Sequence, residues 1–196
     1  ISSRNFDSEV EKIVNNIIPG CKNLYIRVGY FYFSGFSLIA ESISDKNIKI
    51  LVVIDSDASK EEKFNKNTSS SKYLQTFLNK VDKDEILDKP DERDAYFIFK
   101  NKLKNGSLEI RQSIYKDHSK EFIFEYTEEN AKVFNSPGQT LSGSSNFSQT
   151  GFINNQELNY LHAEPDNFND AILDFNQAWD ESSSLLSKNN YEEFEN

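Results

Sequence analysis

A chain of 196 residues is the size of one domain and can bury a sizeable core. No run approaches eighteen apolar residues, and the start ISSRNFDSEV has neither an apolar stretch nor a cleavage pattern, so the sequence offers no spanning helix and no signal peptide. The net charge of −10 argues at first against a nucleic-acid partner, and the single cysteine, Cys21, excludes an internal disulfide and fits a reducing cytoplasm.

In chain order, Phe6–Ile17 reads as an amphipathic helix, with Val10, Ile13, Val14 and Ile17 on one side, ended by Pro19-Gly20. NLYIRVGYFYF reads as a strand, its Tyr30–Phe33 run as sheet packing. Ser34-Gly35 opens a second helix to Ile43, and NIKILVVID is apolar enough for a strand buried on both faces. This alternation predicts an α/β fold with a right-handed crossover. Asp55–Ser71 reads as a long polar loop, followed by helices over about Lys72–Val81 and Glu92–Lys104. SLEIRQSI and HSKEFIFEY are strands, Glu128-Glu129-Asn130 a hairpin turn, and AKVFNSPGQTLSG the returning strand. QELNYLHAE is the last strand and Pro165–Leu186 the last helix, with Phe175 and Trp179 on its apolar face. The domain covers 1–187, and 188–196 form an acidic tail. With no methionine anywhere, the sequence reads as a piece of a larger protein with further domains.

The charge is unevenly spread. From Glu164 to Asn196 there are nine acids and one base, whereas Ile98–Lys120 holds six bases (Lys100, Lys102, Lys104, Arg111, Lys116, Lys120) against two acids. A solvated helix face accounts equally well for Lys100, Lys102 and Lys104. The basic segment leads into His118-Ser119-Lys120. In a strand, residues two apart share a face, so an imidazole and an ammonium stand side by side, an arrangement that chance alone also produces. A second stretch, LSGSSNFSQTGFINNQELNY, adds Gly143, where backbone can approach a ligand, and short neutral donors at Ser144 and Asn146. Glu157 supplies a carboxylate able to hold a histidine's far nitrogen. Together these are the parts for nucleophilic attack on phosphorus. Asp55 and Asp57 read as loop acids, and no metal-ligand spacing stands out.

His118-Ser119-Lys120, Gly143-Ser144-Ser145-Asn146 and Asn155-Gln156-Glu157 resemble the H-x-K, G-S-x-N and N-x-E signature of the phospholipase D superfamily, and most closely its restriction-endonuclease and helicase-associated branch. The signature's aspartate position holds Glu125. The resemblance implies a mixed β-sheet flanked by helices on both faces, and a DNA phosphodiesterase needing neither metal nor other cofactor. His118 would be the nucleophile that becomes phosphohistidine. Lys120, Ser144 and Asn146 would stabilise the phosphoryl oxygens, Glu157 would orient His118, and Gly143, Ser145 and Asn155 would line the substrate. Family enzymes use two H-x-K copies per pocket, and His162-Ala163-Glu164 is no second copy. The resemblance thus implies a homodimer in which two His118 side chains meet. The alternatives are a dimerising or DNA-binding module without catalysis, and a lipid phosphodiesterase. Against the latter stand the single motif and the lack of a membrane-binding stretch.

Overall fold

The computed structural model describes residues 2–4, 9–29, 31–52, 90–114, 120–144 and 158–192. These residues form an eight-stranded mixed sheet with helices on both faces. Its strands are β1 (Ser2–Arg4), β2 (Cys21–Val28), β3 (Asn47–Val52), β4 (Leu108–Gln112), β5 (Glu121–Tyr126), β6 (Gly138–Gly143), β7 (Leu158–His162) and β8 (Ser183–Leu186). They lie in the order β1-β7-β6-β5-β2-β3-β4-β8. The central β2, β3 and β4 run parallel. Every other pairing is antiparallel.

The parallel centre follows from composition. Ile48, Ile50, Leu51 and Val52 of β3 are all buried, as a strand covered on both faces requires. On one face, Leu24, Ile26, Val28, Ile50, Val52, Ile110, Phe122, Phe124 and Leu141 share a core with helices α1 (Glu9–Ile17), α2 (Phe33–Ser37) and α3 (Pro90–Asn105). Phe31, Phe33 and Phe36 gather on Phe99 of α3. The aromatic run therefore serves packing, at the start of α2 rather than within β2. On the other face, Leu51 and Ile123 meet Phe168, Phe175 and Trp179 of a later helix, α5 (Pro165–Asp180). Lys49 and Arg111 lie over the Trp179 ring at 5.1 and 4.5 Å.

Three expectations are corrected. The proposed hairpin turn is a helix, α4 (Glu128–Phe134): Thr127 Oγ1 caps it by accepting from Asn130 N, and Asn135, at φ 49°, closes it in the left-handed region. The last helix stops at Asp180, and the apolar Leu185 and Leu186 belong instead to β8, an edge strand on β4. Lys102 is on no solvated face. It is 2 % exposed, and its Nζ donates to the carbonyls of Ser44 and Lys46 and to Ser107 Oγ, with burial lowering its pKa to about 8. Cys21 is buried as well; its Sγ donates to Ile17 O at 3.3 Å, and desolvation pushes the thiol up to about 12, a poor nucleophile as expected. The loop proposed over 55–71 and the helix over 72–81 lie outside the described residues. Among the described residues, no helix is long and apolar enough to cross a membrane.

Candidate active site

The parallel strands fix which edge of the sheet matters. Val28, Val52 and Gln112 end β2, β3 and β4 on one side. Because β5 and β7 run antiparallel to their neighbours, they begin on that same side, and β6 ends there. The described chain thus enters β5 at Lys120, leaves at Ser144 beyond β6, and re-enters at Leu158 of β7, all along the carboxyl edge of the parallel strands. Ligands of open α/β sheets bind at this edge.

The register is closer still. Glu121 pairs with Ser142 and Phe122 with Leu141, so Lys120 stands opposite Gly143, and Gly143 N donates to Lys120 O at 3.0 Å. Gly143 in turn pairs with Asn159 of β7. Lys120 has the parity of the buried Phe122 and Phe124, Gly143 that of Leu141, and Asn159 that of Leu161, all in one core. Lys120, Gly143 and Asn159 therefore form a row on one face across three adjacent strands, the middle member without a side chain. Lys120 is half-buried and Ser144 exposed. The two distant segments singled out in the sequence meet at this row. His118, Ser145, Asn146, Asn155 and Glu157 lie outside the described residues, as do Asp55 and Asp57.

Glu125 is not in this row. It has the opposite parity and lies at the far end of β5, about 17 Å away at ~3.4 Å per residue. There it accepts from Asn23 Nδ2 at 2.6 Å and Tyr25 Oη at 2.7 Å, and pairs with Lys22 Nζ at 3.0 Å. Burial alone would raise its pKa, but the hydrogen bonds from Asn23, Tyr25 and Lys22 outweigh it and hold the carboxyl below its ordinary value. Desolvation, then the bond to Glu125, drives the Tyr25 phenol up.

His162 ends β7 on the α5 face, opposite to Lys120. Its Nε2 is 3.2 Å from Ser142 Oγ, and its ring stacks on Tyr160, the strand-end packing role expected of it. Of the basic segment, Lys102 is spent on buried carbonyls, and Arg111 on Glu109, Trp179 O and the Trp179 ring. Sequence reasoning missed Asn159 and Gln112, both buried polar residues on the site's face. The signal for Asn159 was its place two residues after Glu157; Gln112 had none, since only the sheet order brings β4 alongside.

The mixed sheet, with Lys120, Gly143 and Ser144 at its carboxyl edge, has the phospholipase D fold. The solved structure of Nuc from Salmonella typhimurium, a phospholipase D family member, is similar over 94% of this chain and 95% of its own, with a TM-score of 0.55 at 11% identity. NucT from Helicobacter pylori is similar over 94% of this chain and 99% of its own, with a TM-score of 0.48 at 13% identity. No protein-family profile matches the sequence, and no curated protein does.

Proposed function

We propose that this chain is a metal-independent DNA phosphodiesterase, the cleavage module of a restriction or helicase-linked system. The observation that carries the reading is the register that sets Lys120 across from Gly143 at the ligand-binding edge of a phospholipase D fold. That a structurally similar chain is a phospholipase D family member supports the reading. In the proposed reaction an imidazole nitrogen of His118 forms a bond to phosphorus as the P–O bond to the leaving group breaks. The leaving oxygen takes a proton from the His118 of a second subunit. Water, giving its proton to that second histidine, then splits the P–N bond and frees a phosphomonoester. Lys120, Ser144 and Asn146 hold the charge on the non-bridging oxygens, each worth about 3 kcal/mol in a preorganised, dry site. Glu157 fixes the tautomer of His118 and stabilises its cation. Gly143, Ser145 and Asn155 line the substrate.

The test is cleavage of bis-(p-nitrophenyl) phosphate in excess chelator. Wild type should turn over, His118→Ala should not, and Lys120→Ala should lose about 100- to 1,000-fold. Turnover retained in His118→Ala, or dependent on added metal, overturns the reading. Nicking of plasmid DNA without turnover of phosphatidylcholine separates a nuclease from a lipid enzyme. The shared pocket demands that sedimentation find a dimer at working concentration; an active monomer contradicts it.

A further inference from the structure

On the basis of the reading above, we propose that Asn159 is a positioning residue of the phosphodiesterase site, acting on the anion through Lys120. The row Lys120–Gly143–Asn159 crosses β5, β6 and β7 on one face. With strands ~4.8 Å apart, the Cα atoms of Lys120 and Asn159 are about 10 Å from each other. Between them Gly143 contributes no side chain, so the row is a notch with an ammonium on one wall and a carboxamide on the other.

Asn159 is 2 % exposed. A carboxamide is held inside a protein only where its hydrogen bonds are met, and it carries two donors and an acceptor. The same site filled by leucine would pack as well and cost no desolvation, so packing alone does not call for asparagine. Its neighbours supply a reason. The oxygen can accept from the Lys120 ammonium and aim it across the notch, while the NH2 group can donate toward the backbone after Gly143.

Asn159→Leu keeps size and removes the polar atoms; Asn159→Asp keeps shape and adds charge. Gln139→Leu is the comparator, since Gln139 is a buried carboxamide on the same face at the other end of β6. With bis-(p-nitrophenyl) phosphate, Asn159→Leu should lower kcat about 30-fold and leave KM within about two-fold, as expected for a lost transition-state interaction. Asn159→Asp should be weaker at pH 8 and regain activity as the pH falls and the new carboxyl is protonated. Its affinity for inorganic phosphate, measured calorimetrically, should drop at least about tenfold, by like-charge repulsion. Gln139→Leu should change neither pH profile nor phosphate affinity. An Asn159→Leu enzyme with wild-type kcat, or an Asn159→Asp profile superimposable on wild type, overturns the inference and leaves the phosphodiesterase reading standing. A wild type that neither cleaves the diester nor binds phosphate sinks both.

Discussion

Glu125 stands where the superfamily signature has aspartate, yet its side chain belongs to the lower sheet. Three donors converge on it from β2, which suits the longer glutamate arm and leaves it no route to Lys120. Glu125→Gln should therefore leave diester cleavage within about two-fold of wild type while costing about 1–2 kcal/mol of stability. The sign of its pH dependence follows from the lowered pKa: the folded state binds the proton less readily than the unfolded chain, so the carboxylate stabilises above its ordinary pKa and loses that contribution as pH falls through the depressed value. Urea midpoints of wild type and Glu125→Gln should differ at pH 7 and converge as the pH falls below the depressed value; a constant gap would rule out the carboxylate as the cause. Residue types and spacings singled out Lys120, Gly143 and Ser144 in advance, and the sheet brings them to one edge, because strand parity can be read from sequence. Asn159 and Lys102 could not be recognised so directly. Asn159 acquires its neighbours from sheet register, and Lys102 is a lysine whose burial depends on carbonyls from a turn almost sixty residues away.

Among the elements, β6 shows why local pattern fails where tertiary packing decides. Gly138 starts the strand, and a Cβ placed there would lie 2.1 Å from Phe124 O and 2.4 Å from the Phe168 ring. The glycine lets α5 press onto the β5–β6 pair. Gly138→Ala should cost about 3 kcal/mol through overpacking against backbone and a buried ring, measured as a loss in chemical-denaturation free energy; a loss below about 1 kcal/mol would mean that α5 moves aside at little cost. Two further elements, one beside β6 and one at the β4 border of the sheet, depart from their local pattern. In EENAKVF, Val133 and Phe134 favour a strand, but Thr127 at the cap and Asn135 at the close define a short helix. The apolar Leu185 and Leu186 continue the α5 pattern in sequence, while pairing with β4 turns them into a strand. β3 was legible because burial on both faces leaves a near-continuous hydrophobic signature, and β2 and β5 through their β-branched and aromatic content.

For the molecule as a whole, the alternation of helix and strand patterns pointed to an α/β domain, and the sheet order separates its acids from the edge that carries Lys120. Acids crowd α5, with Asp166, Asp170, Asp174 and Asp180 exposed along it, on the face opposite to Lys120. The residues after Leu186 contribute to the rim of the sheet: Asn190 donates to Leu185 O at 2.7 Å and accepts from Ser187 N at 2.8 Å, and Tyr191 packs on the main core. Truncation after Leu186 should keep diester cleavage at 25 °C yet lower the melting temperature by several degrees, as a loss of about 1–2 kcal/mol implies for a domain of this size; an unchanged melting curve would show that the rim holds without it.

The first and last strands, Ser2–Arg4 and Ser183–Leu186, occupy opposite borders of the sheet. Seven inter-strand steps of ~4.8 Å separate them by about 34 Å before twist is counted. A tether linking the two border strands directly would need roughly ten or more extended residues laid across the sheet, so a short cross-link between them cannot close without tearing a border strand away. Reporter dyes attached to the two border strands would straddle the sheet and register the loss of either border as a change in their separation.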